Sequence, residues 1–135
     1  MMLDRELSRL YALALVAIAR ADGEIGPEEG VRVQERIAAR CQGTLLLEDL
    51  LLDSVQPTDL AAAIQAGPFR GSGMPADQLA EMLLNDGLDV VLAKGHATSG
   101  EAHAILRFIR VLGCADEVVG ALSGKLARWL PDERL

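Results

Sequence analysis

The sequence predicts an all-α protein, a compact bundle of about seven helices built from a duplicated helix-turn-helix unit. Three observations predict it. The 135 residues include 23 Leu and 20 Ala, the strongest helix formers among apolar residues. Val and Ile together supply only 15 and the aromatic residues 4, too few for a sandwich, a barrel or a large sheet. Apolar residues also recur at helical spacing through successive segments, and the two halves of the chain align at a fixed shift of 72 residues. The length is that of one domain, spanning residues 1–135.

The first helix is expected from about Leu3 to Ala21, with Leu3, Leu7, Leu10, Ala14, Ala17, Ile18 and Ala21 at helical spacing. Its second half is apolar on every side, which predicts the central, buried helix. Gly23 stops it. Pro27 suits the first position of a second helix, which runs to Cys41 with Val33, Ile37 and Cys41 inward. Gly43 supplies the next stop, and Thr44 is placed to cap a short Leu-rich helix reaching about Ser54. Pro57 opens another, to Ala66. The stretch Gly67 to Pro75 holds three glycines and two prolines and reads as a loop between two half-bundles.

The second half repeats the pattern. Ala76 to Lys94 is expected to be helical, although Asn85, Asp86 and Gly87 weaken its middle. Ser99 to Leu112 follows, with Ile105, Phe108, Ile109 and Leu112 inward. The last helix begins near Asp116 and stops at Pro131, with Val118, Val119, Leu122, Leu126 and Trp129 at core spacing. The repeats, about 3–41 and 75–113, superpose Leu7 on Leu79, Ile18 on Val90, Gly23 on Gly95, Glu29 on Glu101 and Ile37 on Ile109.

The sharpest local motif is Asp22-Gly23-Glu24-Ile25-Gly26-Pro27-Glu28-Glu29 at the first helix-helix junction. Four carboxylates fall within eight residues, and hard cations such as Ca²⁺, Mg²⁺ or Mn²⁺ take clustered oxygen ligands of this kind. The segment is not an EF-hand, because it lacks the DxDxDG start and Val33 stands where the bidentate Glu belongs. The same residues also suit a structural role. With Gly26 as N-cap, Glu29 is the third helical residue and returns a bond to the cap, and Thr98-Ser99-Gly100-Glu101 matches it in the second repeat. Glu28 favours the helix N-terminus and is expected to pair with Arg32 four residues on. Asp22, Glu24, Glu28 and Glu29 are therefore candidate ligands of a divalent cation, with capping and a solvated turn as the alternative.

The other chemistry-bearing residues are few. His96 and His103 have no partner at zinc spacing. Cys41 and Cys114 form no CxxC pair and read as two reduced thiols. No nucleophile elbow, P-loop or dinucleotide fingerprint is present, so no enzyme activity is expected. The net charge is −7, which disfavours nucleic acid and anionic membrane. The longest apolar run, Leu10 to Ala19, is too short to span a bilayer, and a cytoplasmic, soluble protein is expected.

The segment Ala19-Arg20-Ala21-Asp22-Gly23-Glu24-Ile25-Gly26-Pro27-Glu28-Glu29, followed by a helix, resembles the TerB-like tellurite-resistance domain family. Ala93-Lys94-Gly95, then Glu101 and Ile109-Arg110-Val111-Leu112-Gly113, resembles that family's second repeat. The resemblance implies a compact all-α bundle, a bacterial stress response to tellurite and other toxic oxyanions, and divalent-cation binding by Asp22, Glu24, Glu28 and Glu29. Where the family commonly repeats Asp-Gly-Glu, this chain has Lys94-Gly95-His96. Beside that module stands a second expectation: an acidic helical interaction domain, with protein partners or self-association and a purely structural Asp-Gly-Glu turn.

Overall fold

A computed structural model describes residues 3, 5–21, 23–41, 43–56, 58–59, 62, 76–112 and 114–130. Among the described residues the chain is all-helical, with six α-helices and no strand. They are α1 (Arg5–Ala19), α2 (Pro27–Arg40), α3 (Leu47–Leu50), α4 (Ala76–Leu92), α5 (Ser99–Arg110) and α6 (Asp116–Lys125), followed by a 3₁₀ turn, Ala127–Trp129. The further helix expected from Pro57 to Ala66 falls largely outside the described residues.

The apolar second half of α1 places it at the centre. Leu13, Ala14, Leu15, Val16, Ile18 and Ala19 are all buried, and α1 packs against α2, α3, α4 and α5. The buried alanines let the neighbouring helices approach closely. α4 is the second inner helix, resting on α1, α2, α5 and α6. Leu79, Leu83, Leu84, Val90 and Val91 fill its core side. α6 follows its expected stripe in part. Leu122 and Leu126 are buried, whereas Val118 and Trp129 lie at the core's edge and Val119 is half-buried.

Asn85, Asp86 and Gly87 do not interrupt α4, and the packing explains why. A Cβ on Gly87 would lie 3.2 Å from Ile105 and 3.5 Å from Ile18, so the glycine stands where α4 crosses α5 and α1 most closely. Asp86 beside it is buried and accepts hydrogen bonds from Tyr11 Oη and from two nitrogens of Arg40, Nε at 3.0 Å and Nη2 at 3.1 Å. Tertiary partners thus outweigh the low helix propensity of this triplet. The Tyr11–Asp86–Arg40 knot ties α1, α4 and α2 together. Burial first, and then the Asp86 carboxylate, push the Tyr11 pKa up, and the hydrogen bond to Asp86 raises that of Arg40.

α3 is shorter than the expected span to Ser54, and Thr44 is not its cap. Its N-cap is Leu46 in extended conformation. The capping group comes instead from α2. The Gln34 side-chain amide accepts from the Leu47 N–H at 2.7 Å and donates to the Leu45 carbonyl at 3.0 Å. That clamp grips the chain on either side of the extended Leu46 and satisfies an amide at the helix start.

Candidate functional site

The turn entering α2 is built from glycine conformations. Gly23 has φ of +126°, open to glycine at little cost, and its N–H donates to the Arg20 carbonyl at 2.9 Å. Gly26 is the N-cap with Pro27 behind it, and its N–H donates to Glu29 Oε1 at 3.3 Å. Glycine has no side chain to complete the reciprocal bond, so this is half of a capping box. At the start of α5 the box is whole. Thr98 Oγ1 accepts from the Glu101 N–H at 3.2 Å, and the Thr98 N–H donates to Glu101 Oε1 at 2.9 Å.

These two glutamates, at the same position of their helices, share one cation. Lys94 Nζ lies 2.5 Å from Glu101 Oε2 and 3.4 Å from Glu29 Oε2. Glu101 is 1 % exposed and Glu29 4 %. Two buried carboxylates with one ammonium leave an excess negative charge. The N-termini of α2 and α5 carry partial positive charge and backbone donors toward it. Burial works against the Lys94 charge, but the hydrogen bond to Glu101 and the charges of Glu101 and Glu29 outweigh it, so its pKa is raised.

Of the four candidate cation ligands, Glu29 is thus committed to the Gly26 amide and Lys94. Glu24 and Glu28 are exposed beside the turn, and Asp22 lies outside the described residues. Among the described residues, no group of three or more His, Cys, Asp or Glu side chains is arranged to hold a metal ion. His96 and His103 are exposed. Arg32 reaches Asp89 of α4 at 2.5 Å and Glu35 at 3.6 Å, not Glu28. Cys41 and Cys114 are free thiols. Burial pushes both up to about 11.

The acidic turn also borders a concavity that its sequence does not reveal. An open hollow of about 510 Å³ lies between the turn, the first half of α2 and α3, lined by Arg20, Glu24, Ile25, Gly30, Leu47 and Leu51 among others. The surface around it is apolar. Leu52 is 88 % exposed and Val31 61 %, and Leu46 and Leu51 are exposed as well. Leu51 lines this hollow, Val31 and Leu46 line a second that shares Leu51 with it, and Leu52 follows Leu51 directly in the chain. Glu24 and Arg20 stand in the lining of the first hollow, with Arg20 turned to the Leu51 carbonyl at 3.4 Å, and the exposed Glu28 lies at the turn next to it.

No protein-family model, curated protein or solved structure matches the chain. The TerB-like expectation therefore rests on residues 19–29 and 93–113 alone. No described helix is long and apolar enough to cross a membrane.

Proposed function

We propose that this chain is a non-catalytic helical module that docks a basic protein partner on the face between its first turn and α3. The observation that carries this reading is the exposed aliphatic surface of Val31, Leu46 and Leu51 lining open hollows, with the carboxylates of Glu24 and Glu48 at their edges. An apolar centre with an acidic rim fits a partner that presents apolar side chains among Lys and Arg. The interior ionisable groups support the reading by being committed elsewhere: Asp86 to Tyr11 and Arg40, Glu29 and Glu101 to Lys94. On this reading Glu24 and Glu28 act as steering charges, and the Asp-Gly-Glu turn shapes the rim.

We also infer that the two halves descend from one duplicated helix-turn-helix unit. Gly23 and Gly95, both at positive φ, close their turns onto the carbonyl three residues back, and Glu29 and Glu101 both serve as capping residues. That parallel supports the alignment at a shift of 72 residues.

The test is a photo-crosslinking amino acid at position 52, with position 107 of α5 as the exposed control. In cells expressing the protein, position 52 is expected to yield a discrete adduct that higher salt depletes. The cross-linked peptide is expected to be rich in Lys or Arg. Equal labelling from both positions, or an acidic captured segment, contradicts the proposal.

A further inference from the structure

The hollow beside the first turn does not end at α3. Gly30, Leu47 and Leu51 also line a second hollow of about 390 Å³, together with Val31, Leu46 and Glu48. Leu47 and Leu51, four residues apart, therefore form a low ridge with a depression on either side. Gly30 borders both depressions. A Cβ there would stand 3.4 Å from Leu47 Cδ2 and 3.8 Å from Ile25 Cγ2, so a larger side chain at this position would enter the space beside the ridge that both depressions border. A glycine inside a helix costs about 1 kcal/mol relative to alanine, and packing within this domain does not demand it.

We infer that this double hollow receives a single amphipathic α-helix with basic flanks, which straddles the Leu47–Leu51 ridge and lays one apolar side chain in each depression. The inference rests on the docking face proposed above and names the form of its partner. Two depressions separated by one ridge call for two apolar side chains from the same face of one element. A helix presents such a pair at i and i+3 or i+4, about 5–6 Å apart.

The other common modes of peptide recognition fit poorly. Strand addition needs an open sheet edge, and the described residues contain no strand. Polyproline recognition uses aromatic walls, and no Phe, Tyr or Trp lines either depression. Capture of phosphorylated or acidic segments needs an arginine cluster, whereas the two depressions are lined by Glu24 and Glu48 with the one Arg20. Two-fold pairing of this face with that of a second copy would set one acidic rim against the other.

Fluorescence anisotropy with three defined peptides of about 22 residues tests the inference, a length above that at which isolated helices are marginal. The first carries Leu at i, i+3, i+4 and i+7 with Lys elsewhere. The second has Glu in place of Lys. The third keeps the Leu and Lys composition but alternates them with the period of a strand. The first peptide is expected to bind at least about tenfold more tightly than either other, the strand-patterned control removing plain charge attraction. Gly30→Leu, which fills the junction, is expected to weaken the first peptide about tenfold while thermal stability holds or rises. Leu52→Lys, at an exposed position, is expected to weaken it severalfold with the fold intact.

Equal affinity for the helical and strand-patterned Lys peptides overturns the inference, as does failure of the first peptide to bind. Tight binding by the Glu peptide, or a dimer of the free protein that Gly30→Leu dissolves, overturns it too. A basic adduct at position 52 together with equal binding of the two Lys peptides would keep the docking face and remove the helical mode.

Discussion

The turn ahead of α2 and the turn ahead of α5 share a backbone and differ in what closes them. Each pivots on a glycine at positive φ, and each delivers a glutamate that caps its helix. The second turn is closed upon itself, because Thr98 completes the capping box and Lys94 neutralises Glu101 from within the same turn. The first turn has neither device. Its cap is a glycine, its Glu24 faces solvent, and Glu29 borrows Lys94 from the other turn. One turn is therefore a lock and the other an open rim beside the apolar α3 face. Equal backbones do not imply equal roles, and the placement of one lysine separates them.

The largest effect is expected in the frame that holds both turns in place. Asp86→Ala leaves the Tyr11 hydroxyl and the Arg40 guanidinium without their buried acceptor, and it should cost about 3–5 kcal/mol in chemical denaturation. A loss under about 1 kcal/mol would mean that the knot does not hold α1, α2 and α4 together. Lys94→Met breaks the lock by leaving Glu29 and Glu101 to repel each other, at about 2–3 kcal/mol, less because the lysine is 23 % exposed. Adding Glu101→Gln should recover much of that loss. No recovery would place the lysine's contribution in packing and not in charge.

Alkaline titration probes the same interior. Burial pushes the Cys41 thiol up to about 11 from an ordinary 9.0, and Tyr11 and Lys94 are also raised. A pKa raised on folding stabilises fully below the unfolded value, and that stability is lost as pH climbs through the folded value. Stability should thus decline from about pH 9 upward, the thiol contributing up to about 2–3 kcal/mol by pH 11. Cys41→Ala should flatten the first part of that decline, and an unchanged slope would exclude the thiol as its source. Gln34→Ala tests the α3 clamp at about 1 kcal/mol, read as faster hydrogen exchange of the Leu47 amide without a matching global loss. Leu52→Lys should change stability least of all, by less than about 0.5 kcal/mol, as expected of an uncovered side chain.

The helical frame was largely legible from residue order, and the reasons are local. Gly23, Pro27, Thr98 and Glu101 act on backbone within a few residues, so their spacing announces caps and stops directly. The Lys94–Glu29 pair spans 65 residues and no local signal carries it. Asp86 was partly legible. It falls on the stripe of Leu79, Leu83 and Val90, where an acidic residue must find partners on packing, yet its Asp-Gly context reads first as weakness in a helix. The apolar face was hidden for a different reason. A Leu-rich segment with a Thr at its head reads as a short helix capped by that Thr. Instead the amide at the start of α3 is satisfied by Gln34 from another helix, α3 ends at Leu50, and Leu46, Leu51 and Leu52 are exposed.

The contrast between a closed interior and an open α3 face is tested most directly by methyl NMR with the helical Leu/Lys peptide. Titration should move the methyl signals of Ile25, Val31, Leu46, Leu47, Leu51 and Leu52 and leave those of Ile105 and Ile109 in the core unchanged. Shifts centred on α5 or spread evenly over the molecule, with the α3 methyls still, would contradict it.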